Sequence, residues 1–156
     1  MGKELVRCKM IHCEMMRHTH VPAVAALEQA CFSMPWSEYA ISSELSNPIS
    51  LWLVALEGDK VVGYIGSQAV LDEADVMNVA VDPAYRRLGV ASVLVNALIE
   101  ALSRRQVRCL TLEVRASNEP AKALYEKLGF DLAGRRPNYY TAPKEDALIL
   151  RKEWSL

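Results

Sequence analysis

Val76-Met77-Asn78-Val79-Ala80-Val81-Asp82-Pro83 opens the stretch, ending at Arg115, whose reading decides the fold. Its apolar run has the length of a buried strand and stops at Asp82-Pro83. Beyond a turn, Val90, Val93, Leu94, Ala97, Leu98, Ala101 and Leu102 recur at spacings of three and four, which is one face of a helix. Arg104 and Arg105 then sit favourably at the negative end of that helix's dipole. Cys109-Leu110-Thr111-Leu112-Glu113-Val114-Arg115 alternates as a second strand. Strand, helix and strand in this order predict a parallel β-helix-β crossover.

The neighbouring segments extend the same pattern in both directions. Leu51 to Leu56 and Lys60 to Ala69 read as a hairpin across Glu57-Gly58-Asp59, and Ile11 to Met16 as a first strand. Thr19 is placed to cap a helix with Pro22 in its first turn and Val24, Leu27 and Cys31 on its apolar face. Ser37 caps a second helix running through Leu45, stopped by Asn47-Pro48. Asn118 caps another that ends at Lys127, with Gly129 just beyond. Phe130 to Leu132 and Ala147 to Leu150 then pair as a final antiparallel ribbon. The expected fold is α/β: a mixed sheet with helices on both faces, forming one domain over residues 11–156 after an extension at 1–10.

Composition narrows the class. The chain has 156 residues, 51% of them apolar, so a core of ordinary size needs no staples, and disorder and low-complexity classes are excluded. With 18 basic and 19 acidic side chains the net charge is −1, so any polyanion must meet a local patch rather than a global field. The longest apolar stretch, Leu51 to Leu56, is far short of a membrane span, and the first residues carry charges where a signal peptide is apolar. A cytoplasmic protein is expected. Cys8, Cys13, Cys31 and Cys109 form no C-x-x-C pair, and His12, Cys13, His18 and His20 cluster without a metal-ligand spacing, so no metal is expected.

Three features look chemical. The turn Tyr85-Arg86-Arg87-Leu88-Gly89-Val90-Ala91 leads into a helix N-terminus, where free N–H groups and partial positive charge suit a phosphate. Taken alone it also reads as a helix-entry glycine beside two solvated arginines. Glu113 stands in the middle of a crossover strand, where a carboxylate is costly unless it is paired with an arginine or used. Tyr125 lies in the following helix among Ala121, Leu124 and Leu128, the setting of a packed core aromatic.

Together these stretches resemble the GCN5-related N-acetyltransferases. The resemblance rests on Asn78-Val79-Ala80-Val81-Asp82-Pro83 with Arg86-x-x-Gly89-x-Ala91, and on Leu112-Glu113-Val114-Arg115-Ala116-Ser117-Asn118 with Ala123-Leu124-Tyr125-Glu126-Lys127-Leu128-Gly129-Phe130. Met34-Pro35-Trp36-Ser37, Val70-Leu71-Asp72-Glu73-Ala74, Arg135-Arg136-Pro137-Asn138-Tyr139-Tyr140 and Glu145-Asp146-Ala147 narrow it to the bacterial branch that acetylates the N-terminal alanine of a small-subunit ribosomal protein. It spans about Ile11 to Leu150, with Ala91 where many relatives have glycine and a short loop between Tyr140 and Glu145.

The resemblance implies that two central parallel strands splay and that acetyl-CoA lies in the gap. The backbone of Val79, Ala80 and Val81 would pair with the pantetheine arm, and Arg86, Arg87, Leu88, Gly89, Val90, Ala91 and Ser92 would meet the pyrophosphate. Asn118 would reach the thioester end, Glu113 matches the family's general base, and Tyr125 matches its general acid. Trp36 and the Tyr139-Tyr140 pair would flank the acceptor, while Asp72, Glu73 and Asp75, just before the splayed strand, would attract a basic tail or simply form a solvated turn. The Val79 N–H is the candidate donor to the acyl oxygen. The implied reaction is direct attack of an amine on the thioester in a ternary complex. A chain N-terminus, pKa about 8, loses its proton more easily than lysine at about 10.4, a difference of roughly 3 kcal/mol.

Two other functions stay open at this stage. One is an acetyltransferase for other N-termini, lysines or a small amine, since the fold leaves the acceptor unspecified. The other is a non-catalytic acyl-CoA-binding regulator, against which the joint presence of Glu113 and Tyr125 argues. Direct nucleic-acid binding has only the Arg104, Arg105 and Arg108 patch behind it.

Overall fold

The computed structural model describes residues 10–156, so the proposed extension at 1–10, Cys8 included, lies almost wholly outside the described residues. Strands β1 (Ile11–Met15), β2 (Ser50–Glu57), β3 (Lys60–Val70), β4 (Glu73–Val81), β5 (Cys109–Arg115), β6 (Asp131–Thr141) and β7 (Lys144–Glu153) build one sheet. Helices α1 (Val21–Cys31), α2 (Glu38–Glu44), α3 (Val90–Arg104) and α4 (Glu119–Lys127) cover it. The strand order is β1-β2-β3-β4-β5-β7-β6, and among the described residues β4–β5 is the one parallel pair. No helix among the described residues is long and apolar enough to cross a membrane.

Strand β2 shows why two helical layers are needed. Leu51, Leu53 and Ala55 join the core under α3, with Leu94, Leu98 and Leu102 at its centre. Trp52, Val54 and Leu56 point the other way, into a second core with Val24 and Leu27 of α1 and Ile41 of α2. An unbroken apolar run of this kind is what a strand covered on both faces requires. Ser37 caps α2 by accepting from the Ala40 N–H at 3.0 Å, and Asn118 caps α4 by accepting from the Ala121 N–H at 3.2 Å. Both caps were expected from the sequence.

Three expectations are corrected. Thr19 caps nothing: it lies inside a 3-10 turn, His18–His20, and α1 starts at Val21 behind His20. Strand β4 begins at Glu73 rather than Val76, so Glu73 and Asp75 belong to the strand; buried Ala74 between them supplies the alternation. The final ribbon is far longer than its apolar segments, because β6 is an edge strand whose polar side chains face solvent and whose Pro137 sits in a bulge between Arg136 and Tyr140.

On the α1 side Trp52 lies flat over Gly66, its partner across β2 and β3. A Cβ on Gly66 would fall 2.3 Å from the indole, which is clamped between Trp36 and Tyr64. Gly66→Ala is therefore expected to destabilise the fold by about 1–3 kcal/mol through overpacking. In a thermal melt that lowers Tm by roughly 2–10 °C for a chain of this size. An unchanged Tm would mean that the indole moves aside freely.

Candidate active site

The site begins where β4 and β5 part. They pair only at Glu73–Cys109, Ala74–Leu110 and Asp75–Thr111, after which Val76–Val81 and Leu112–Arg115 have no partners in each other. This is the expected splay, and it leaves the β5-facing edge of β4 open beside Val79, Ala80 and Val81. The Val79 N–H donates to the Asn78 side-chain oxygen at 3.1 Å, so that side chain stands over the candidate donor to the acyl oxygen.

Below the gap, the chain enters α3 through a rigid turn. Asp82 accepts from the Ala84 N–H at 2.9 Å, and buried Tyr85 donates to Glu57 at 3.0 Å. Arg87 (φ 65°) and Gly89 (φ 79°) are both left-handed, an arrangement that turns successive N–H groups towards one point. Gly89 is the N-cap of α3 and no side chain caps that helix, so its first N–H groups remain unclaimed by the helix itself. Arg86 and Arg87 are exposed beside them, and an Arg86 guanidinium nitrogen also lies 3.8 Å from Cys31 Sγ. The uncapped helix end, the two arginines and the open strand edge suit a phosphate-bearing cofactor with an extended arm, as acetyl-CoA is.

Glu113 and Tyr125 stand on opposite faces of β5. Tyr125 packs with Leu112 and Val114 on the α3/α4 side, edge-on to Phe130 at 5.5 Å. It is 4% exposed, and burial raises its pKa to about 12. Its hydroxyl has no hydrogen-bond partner among the described residues, where Trp52 Nε1 is the one fully buried side-chain polar atom left unpaired. The Tyr125 hydroxyl therefore reaches open space.

Glu113 points to the other face and is 26% exposed there. Its carboxylate pairs with Arg136 Nε at 3.0 Å, and its interaction with the Tyr139 hydroxyl holds that phenol above its usual pKa, with burial adding to the effect. Arg115 instead reaches Glu145 at 3.5 Å and lies 4.2 Å over the Tyr140 ring. The β6 bulge brings Tyr139 and Tyr140 edge to face at 5.1 Å. Burial, then the Glu113 charge, raises the Tyr140 pKa. Asp75 lies opposite Thr111 on this same face, and partial burial, then the charges of Glu113 and Glu73, lift its carboxyl above the usual range.

The remaining predicted residues fall further out. Asp72 faces Arg108 at 3.7 Å and Glu73 faces Arg151 at 3.0 Å, both at the closed end of the strand pair. Trp36, in the loop between α1 and α2, is half-buried and tilted against Trp52 at 5.4 Å, so it packs on the second core. Asn118 has its side-chain oxygen engaged in the α4 cap. Among the described residues no group of three or more His, Cys, Asp or Glu is placed to hold a metal ion.

Sequence reading missed two participants, Arg136 and Glu28. Glu28 is fully buried in α1 and accepts from the Trp36 N–H at 3.1 Å, from the Tyr64 hydroxyl and from the Asn78 amide. Its signal was present: Val24, Glu28 and Cys31 share one helical face, and a carboxylate on a core-facing position calls for partners.

Comparison with known proteins agrees with this fold. The model of the acetyltransferase (GNAT) family matches residues 21–130. The ribosomal protein bS18-alanine N-acetyltransferase of Escherichia coli (strain K12) is 43% identical over 134 residues, which span 85% of this chain and 90% of that protein. The protein of the same name from Salmonella typhimurium is 42% identical over 135 residues, 85% of this chain and 90% of its own. The crystal structure of the ribosomal-protein-S18-alanine N-acetyltransferase from Escherichia coli superposes with a TM-score of 0.86 at 40% identity, covering 94% of this chain and 95% of that one. Ard1 from Thermoplasma volcanium, at 23% identity and a TM-score of 0.85 over 94% of this chain and 99% of its own, shares the fold. The chain belongs to the GNAT acetyltransferase family.

Proposed function

We propose that the chain transfers the acetyl group of acetyl-CoA to the α-amine of a protein N-terminus, most specifically an N-terminal alanine of a small-subunit ribosomal protein. The observation that carries this reading is the placement of Glu113 and Tyr125 on opposite faces of the strand that borders the gap. An amine entering from the open face meets the carboxylate, and the sulfur leaving on the other side meets the phenol. The similarity to enzymes named for an N-terminal alanine supports the acceptor assignment. A cytoplasmic setting fits both reactants.

Acetyl-CoA supplies the activated acyl group. Val79, Ala80 and Val81 would hold its arm through strand-like hydrogen bonds, and the turn from Arg86 to Ser92 its phosphates. Asn118, at the start of α4, is assigned to the thioester end. Trp36, Tyr139 and Tyr140 border the acceptor groove. Asp72 and Glu73, already held by arginines, contribute at most to the field around it.

In this reading the acceptor ammonium approaches Glu113, displaces the half-exposed Arg136, and gives up a proton to the carboxylate directly or through a water. The Val79 N–H can stabilise charge on the acyl oxygen by sharing its hydrogen between that oxygen and the Asn78 side chain. The partnerless Tyr125 hydroxyl argues against a purely regulatory acyl-CoA module, which has no use for a buried donor facing open space.

Incubation with acetyl-CoA and a panel of peptides differing in their first residue, read by mass, tests the assignment. The alanine-initiated ribosomal peptide is expected to be acetylated at its α-amine at least about tenfold faster than a peptide offering only a lysine side chain, since the amine pKa difference alone favours it. Acetylation of lysines or polyamines in preference to any N-terminus would overturn the acceptor reading.

A further inference from the structure

Glu28 gathers donors from three separate elements. Trp36 belongs to the loop between α1 and α2, Tyr64 to β3, and Asn78 to β4 at the mouth of the gap. A buried carboxylate is costly, and an apolar residue of similar volume would fill the same space at less risk to the fold. Here every polar neighbour is a donor and both carboxylate oxygens are used. Burial and the Glu28 carboxylate both push the Tyr64 hydroxyl's pKa upward, so it stays a donor. On the far side of Asn78, the side-chain oxygen holds the Val79 N–H, the backbone group that faces the acyl position.

We propose that Glu28 is a positioning residue that ties the Trp36 loop of the acceptor groove to Asn78 on the cofactor strand, so that the acceptor wall and the acyl site are held in one register. The role rests on the acetyltransferase reading above. It needs a carboxylate in particular. A glutamine offers one oxygen, which can keep the two donors on the sheet side, Tyr64 and Asn78, and turns its own NH₂ against the Trp36 N–H. The Trp36 loop is then the part released.

The test compares Glu28→Gln with the wild type in steady-state kinetics and in amide hydrogen exchange. Expected is a rise of about tenfold in the KM for the N-terminal peptide, with kcat and the KM for acetyl-CoA within about twofold, matching one lost hydrogen bond to a charged acceptor. The Trp36 amide should exchange at least about tenfold faster. A uniform fall in activity with both KM values unchanged, tracking the loss of folded protein, would reduce Glu28 to a core residue and overturn the proposal. An unchanged peptide KM would overturn it equally.

Tyr64→Phe removes a donor but leaves both the Trp36 and the Asn78 bonds, and with them the tie, so its peptide KM should stay within about twofold. A rise as large as that of Glu28→Gln would show general core damage. If Glu28→Gln does not fold, Asn78→Ala carries the test: loosening the β4 limb should raise Trp36 exchange and peptide KM at least threefold, roughly half of one hydrogen bond. No change in either would refute the coupling. Should the wild type acetylate no N-terminal peptide, the functional reading fails, while the exchange at Trp36 still reports on the tie itself.

Discussion

Glu113→Gln is expected to lower turnover on an N-terminal peptide by about a hundredfold while leaving the affinity for acetyl-CoA within about twofold. The substitution preserves shape, and its amide oxygen can still sit against Arg136, so the β6 bulge should keep its place. What disappears is the capacity to take a proton from the incoming ammonium. The lost ion pair itself matters little, because Arg136 is 56% exposed and such pairs contribute about 0–1 kcal/mol. Tm should therefore move by no more than about 2–4 °C. Turnover equal to the wild type would sink Glu113 as the base and leave it as an arginine-paired structural carboxylate. A matching loss of acetyl-CoA affinity would point to a collapsed gap instead.

That alternative was visible before any coordinates, since a carboxylate in mid-strand had to be paired or used. The structure shows it paired with Arg136 and partly exposed, at 26%, so that an acceptor can compete for it; its use as a base is the part that Glu113→Gln tests. Arg115, the nearest arginine in sequence, is instead drawn to Tyr140 and Glu145 by the β6–β7 turn. Pairing of this kind is invisible to local reading, because it is settled by the register of a ribbon whose partner lies 20 and more residues downstream.

The most legible elements were those with strong periodicity. The apolar face of α3 and the alternation in β5 predicted the crossover, while the gap was expected only from the resemblance to the acetyltransferase family. Strand β6 failed the same reading because Arg135, Arg136, Pro137 and Asn138 carry a turn-like composition, yet an edge strand tolerates polar side chains and a bulge. Asn138 takes a left-handed φ of 54° there, with its N–H bonded to Asp146 at 2.8 Å. The start of α1 went wrong for a different reason. Thr19 has a cap's chemistry, but a 3-10 turn ahead of Val21 already sets the chain direction, and Arg17 and His20 supply the local bonds.

Tyr125→Phe is expected to lower kcat by about a hundredfold with both KM values nearly unchanged, in the range for removing one preorganised donor. The fold should not suffer, because the hydroxyl has no partner to lose and the ring keeps its edge contact with Phe130. The pKa of about 12 sharpens what the phenol can do. Against a leaving thiol near 8.5, full proton transfer from such a group runs uphill by about 3.5 units, roughly 5 kcal/mol. A hydrogen bond to the departing sulfur, with the proton arriving later from solvent, avoids that cost. The pH profile separates the two roles. The phenol must stay protonated to donate, and that form is lost only as pH rises through its raised pKa, so kcat/KM for an N-terminal peptide should climb about tenfold per unit towards pH 8 and then hold level to about pH 10.5. A falling limb near pH 9 would mean that a group of ordinary acidity supplies the proton. In that case Tyr125→Phe would leave kcat intact, and the buried tyrosine would be no more than part of the core.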